Sequence, residues 1–128
     1  MSSLKTLSLC LVCAAAPAAA FDKALDPQLQ FFASCAGRLS ATMEHQWNYD
    51  TPAAQQTRVF RAHMIDLVSA VMPDDAGRDV LLVRVEAKHA QAQLLRRAAI
   101  NRDPQDADWA QARADALLHD CTSVLLNP

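Results

Sequence analysis

The sequence predicts an all-α protein, an antiparallel up-down-up-down four-helix bundle closed by one disulfide. Three observations carry that expectation. Apolar residues recur at three- and four-residue steps over four stretches of the chain. Helix-start and helix-stop signals separate those stretches: Asp26-Pro27, Thr51-Pro52, Pro73 to Gly77 and Asp103-Pro104. Alternating β-branched or aromatic runs and Asn-Gly turns, the marks of strands and hairpins, are missing from the sequence.

The first twenty residues have the pattern of a cleaved signal peptide. Lys5 supplies the positive start, Leu7 to Ala16 the apolar centre, and Ala18-Ala19-Ala20 the small-residue cleavage site before Phe21. The chain thus divides into a signal peptide, 1–20, and one helical domain, 21–128, expected to be periplasmic or secreted. The leading apolar run is too short to span a bilayer, and no later stretch stays apolar for a spanning length, so no membrane span is expected. The whole chain has 12 Lys and Arg against 14 Asp and Glu. Cleavage removes Lys5 and no acid, leaving a mildly acidic domain without the basic excess that nucleic-acid binding uses.

Of four cysteines, Cys10 and Cys13 lie in the signal peptide. Cys35 and Cys121 remain, with one intramolecular pairing available in an oxidising compartment. Closing a loop of this length stabilises a fold by roughly 4 kcal/mol in the chain-entropy account. The competing reading leaves both as free or intermolecular thiols.

Helix 1 should begin at Asp26-Pro27, with an N-cap followed by proline in the first turn. Leu29, Phe32, Ala36, Leu39, Met43 and Trp47 form its apolar stripe, with Cys35 inside it. Helix 2 should start at Thr51-Pro52, bury Phe60, Met64, Leu67 and Val71, and stop at Pro73. Helix 3, from about Arg78 to Ile100, is apolar on two sides. Leu81, Leu82, Val85 and His89 lie on one, and Val83, Ala87, Ala90 and Leu94 on the other. Such a helix is either central or presents a patch to a partner. Asp103 should cap helix 4, whose inner side is Ala110, Ala114, Leu117, Leu118, Cys121 and Leu125. An up-down order brings the start of helix 1 level with the end of helix 4, where the two cysteines are. Gly37, beside Cys35, should let those two helices approach closely.

Chemistry-bearing sets are sparse. Each helix has one histidine, His45, His63, His89 and His119, but helical angles of about 100° per residue do not converge them. His89 is expected on a core face. Glu86-Ala-Lys-His89 matches a single Glu-x-x-His element, where a di-metal bundle needs two and further glutamates. Asp115 and His119 have the spacing of a surface pair. The serines lack a nucleophile elbow, and no Gly-rich phosphate loop is present. Haem or copper held by Met43, Met64 and His89 is the alternative reading, since thioether and imidazole suit both. The leading expectation carries no cofactor and no catalytic or metal residues. Arg38, Glu44, His45 and Trp47 on helix 1 form the candidate binding face, Arg and Trp being favoured interface anchors. The plainer reading makes this a solvated helix face with Trp47 sealing the bundle end.

The stretch Cys35-Ala-Gly-Arg-Leu-Ser-Ala-Thr-Met-Glu-His-Gln-Trp47, the Val71-Met72-Pro73 stop, Glu86-Ala-Lys88 and Cys121 resemble a set of small exported alphaproteobacterial helical proteins of unassigned function. The resemblance implies an exported, cysteine-paired helical domain and nothing about activity. The export signal, the cysteine staple, the missing catalytic sets and the two-faced helix 3 together give the expectation of a non-enzymatic periplasmic domain that binds another envelope component, an unidentified envelope protein, with a homo-oligomer through helix 3 as a further option.

Overall fold

The structure is a computed structural model that describes residues 24–126. The signal-peptide expectation lies outside the described residues. Four helices follow one another: α1 (Pro27–Gln46), α2 (Thr51–Val71), α3 (Gly77–Ile100) and α4 (Pro104–Leu126). No strand occurs among the described residues.

The start signals act as the sequence indicates. Asp26 accepts hydrogen bonds from the backbone N–H of Gln28 and Leu29, which the first turn of a helix would otherwise leave unmet. Asp103 accepts from Gln105 N–H at the start of α4. At α2 the cap is Asp50, which accepts from Ala53 N–H at 3.0 Å, one residue earlier than expected. Thr51 and Pro52 fall inside the first turn, where proline costs no hydrogen bond.

Side-chain pairs fix the helix directions. Gln46 faces Thr57 and Ser40 faces Arg61, so α1 and α2 run antiparallel. Gly37 lies against Arg84, and Thr42 against Gln91 further along, so α1 and α3 run parallel. Gln91 meets Ala114 and Arg97 meets Asp106, so α4 descends beside α3. The result is up-down-up-down. The Cys35–Cys121 bridge is formed, with Cα atoms 5.4 Å apart and both sulfurs buried.

Packing does not follow a ring in chain order. Helix α1 is the hub, packed most extensively on α3 and then on α2. Helix α4 packs mainly on α3 and is tied to α1 by the disulfide. Consecutive helices α2 and α3 do not pack on each other. The reason is on α1, where Ala33, Ala36, Gly37, Ser40 and Ala41 are all buried and small. A Cβ added at Gly37 would stand 2.2 Å from the carbonyl oxygen of Arg84 and 2.9 Å from the amide nitrogen of Lys88. Gly37 therefore admits α3, and the expectation that it serves the approach of α4 is corrected: beside Cys35, the side chain of Cys121 already bridges the gap.

The core runs from Leu29, Phe32, Cys35, Ala36 and Leu39 to Met64, Val68, Val80 and Cys121. One polar side chain is fully enclosed in it. Gln91 donates from Nε2 to the Ala114 carbonyl at 3.1 Å and to Thr42 Oγ at 3.4 Å, tying α3 to α4 and α1. Its Oε1 has no partner among the described residues, a cost accepted for a register-fixing contact.

Candidate docking surface

The outer side of α3 is where burial stops. Leu81, Leu82 and Val85 are 56%, 53% and 56% exposed. Of its two apolar sides, the one carrying Val83, Ala87 and Leu94 is partly covered, and Val80, Gln91 and Leu95 complete the buried face. Large side chains in consecutive turns on an uncovered face are the kind of patch that marks an interaction surface.

Beside that face, the gap between α2 and α3 opens a cleft of about 150 Å³ over α1. Gly37 and Ser40 form its floor, Arg61 one wall, and Leu81, Arg84, Val85 and Lys88 the other. Ser40 holds Arg61 in place: its Oγ accepts from Arg61 Nε at 2.7 Å while donating to the Ala36 carbonyl at 2.8 Å. The two terminal nitrogens of the guanidinium have no hydrogen-bond partner among the described residues. Lys88 donates to Glu44 at 2.6 Å. Arg84 makes no hydrogen bond or ion pair among the described residues. The walls thus carry three cations against one nearby acid, in a chain whose net charge is negative.

The expected face on α1 is divided among neighbours. Arg38 is half-buried and turned toward α4, with Nη1 4.0 Å from Cys121 Sγ. Burial, followed by the charge of Arg113, holds its guanidinium below its ordinary range, against the pull of Asp120. Glu44 is exposed and engaged by Lys88 of α3. His45 packs edge-on against Tyr49, with centroids 5.2 Å apart. Trp47 is exposed just past the end of α1. Thr42 and Ser40, polar residues of the same helix, are buried.

No protein-family model matches the chain, and no match was found among curated proteins or solved structures. The site rests on its own geometry.

Of the residues of the haem or copper alternative, Met64 and His89 are not brought to one space. Met64 is completely buried, whereas His89, expected on a core face, is exposed and hydrogen-bonded to Gln93 at 2.8 Å. His89 sits on the outer side of α3, which no other helix covers. His63 and His119 are exposed too. No group of three or more His, Cys, Asp or Glu side chains placed to hold a metal ion occurs among the described residues. Asp115 accepts from Gln111 at 2.9 Å, so the expected pairing with His119 is replaced by one a turn earlier.

One other surface is already engaged within the chain. Trp109 lies under the Arg97 guanidinium, 5.0 Å from ring centre to cation, and Arg97 is also held by Asp106. A pocket of about 300 Å³ at the bundle end, where the chain enters α1 beside the α2–α3 turn, is lined by Leu25, Leu29, Val71 and Ala76 together with Asp26, Asp75 and Asp79.

Proposed function

We propose that the protein is a non-enzymatic binding domain of the bacterial envelope. In this reading it docks a carboxylate-bearing segment of another envelope protein in the cleft between α2 and α3. The observation that supports it is Arg84, a guanidinium without a partner, beside Arg61 and the exposed Leu81 and Val85. Unpaired arginine next to apolar side chains is the composition of interface anchors, and the positive cleft on an acidic protein favours an acidic partner. The signal-peptide pattern and the disulfide support the compartment, and no helix among the described residues is long and apolar enough to cross a membrane.

Two of the serines are turned back onto their own helices. Ser40 and Ser69 donate to the carbonyls of Ala36 and Ile65 on their own helices.

The test is cross-linked capture from envelope extract using the disulfide-bonded domain, its Arg84→Glu variant and an Arg102→Glu control at a remote turn. The expected result is a polypeptide enriched by the wild type and the control and lost with Arg84→Glu. Equal enrichment by all three, or none by any, overturns the proposal.

A further inference from the structure

A separate pattern lies on the outer face of α3. Arg78 and Glu86 stand four residues before and four after Leu82. Both are exposed, and neither makes a hydrogen bond or ion pair among the described residues. At 1.5 Å per residue each charge lies about 6 Å from Leu82 along the helix, on opposite sides. Leu81 and Val85, exposed as well, form the adjoining ridge.

Equal and opposite charges at equal distances from a central apolar residue are self-complementary under a two-fold axis. Turning a second α3 end for end about Leu82 sets Arg78 against Glu86 of the partner subunit, and the same pair forms again by symmetry. Leu82 then meets its own copy on the axis, with Leu81 and Val85 closing the sides. A parallel register would instead oppose like charges. The side of α3 opposite this face is already used by α1 and α4, and α2 does not reach it. The outer face is therefore free for a second copy.

We propose that the protein forms an antiparallel homodimer through the outer face of α3, with Leu82 on the two-fold axis and Arg78–Glu86 pairs at both ends of the contact. This goes beyond the docking reading, with which it shares Leu81 and Val85 but neither Arg61 nor Arg84.

The experiment is sedimentation of the disulfide-bonded mature domain over a range of concentrations, with circular dichroism of each variant to check the fold. The wild type is expected to show concentration-dependent dimerisation. Leu82→Glu should be monomeric throughout. Arg78→Glu and Glu86→Arg should each weaken association by about tenfold, since one reversal breaks two pairs and opposes like charges. The double variant Arg78→Glu/Glu86→Arg should restore it to within about threefold. A wild type that stays monomeric, a dimer indifferent to Leu82→Glu, or a double variant no better than the single ones overturns the proposal. Capture through Arg84 would stand or fall separately.

Discussion

Helices α1 and α3 have similar length and are the most intimate pair in the bundle, yet they end in opposite roles. Helix α1 is buried on almost every side from Leu29 to Thr42, polar positions included. Helix α3 buries Val80, Gln91 and Leu95 and leaves Leu81, Leu82 and Val85 to solvent. The difference is one of side-chain size. Small residues at Ala33, Ala36, Gly37, Ser40 and Ala41 let three neighbours close around α1. The bulky outer residues of α3 have no helix packed over them among the described residues, because α2 is drawn to α1 instead. Apolarity on two sides thus marks both a buried hub and a helix with an uncovered face. What separates them is whether the second side is narrow enough for another backbone to approach.

Gly37→Ala should break this arrangement most severely. The new methyl group would collide with backbone atoms of α3, which cannot step aside as a side chain can. A loss of about 3 kcal/mol or more is expected, read as a lower urea midpoint, because overpacking a close contact commonly costs 1–3 kcal/mol. An unchanged midpoint would mean that α3 does not rest on Gly37.

The next comparison sets one leucine from each helix side by side. Leu39→Ala removes a fully buried side chain and should cost about 3 kcal/mol, within the range of cavity-forming core substitutions. Leu82→Ala should stay within about 0.5 kcal/mol when measured at concentrations where the chain is monomeric. Equal losses at the two sites would remove the distinction between hub and surface.

The smallest effect concerns pH and the α3–α4 end of the molecule. Hydrogen bonding from Arg97, assisted by its charge, holds the Asp106 carboxyl below the usual carboxylate range. A depressed folded pKa contributes stability above the unfolded value, and the contribution is lost as pH falls through the folded one. Asp106→Asn should therefore flatten the acid limb of the stability profile slightly and leave it unchanged once wild-type Asp106 is protonated. Screening of this exposed pair keeps the effect small. Profiles that coincide throughout would show the pair to be inert.

Much of the fold is legible in the residues because it is set locally. Proline and aspartate mark three helix starts, and the single-residue shift at α2 reflects two oxygen-bearing side chains, Asp50 and Thr51, competing for one cap. The disulfide follows from two cysteines and a topology. The cleft was not legible, for Ser40 and Arg61 are 21 positions apart and each resembles an ordinary helix-surface residue. His89 was assigned to a core face because its stripe is apolar, yet that stripe is the uncovered one. Burial of Thr42 could have been anticipated from its place in a run of small residues, where a hydroxyl can be enclosed if a partner such as Gln91 is supplied.

By itself the sequence determined four helices, their boundaries, their alternation and the cysteine link, since these depend on capping, periodicity and covalent chemistry along short spans. Tertiary structure decided which helix became the hub and which apolar face was left uncovered. That outcome depends on backbone separation, set where Gly37 meets Arg84, and no single helix contains the information.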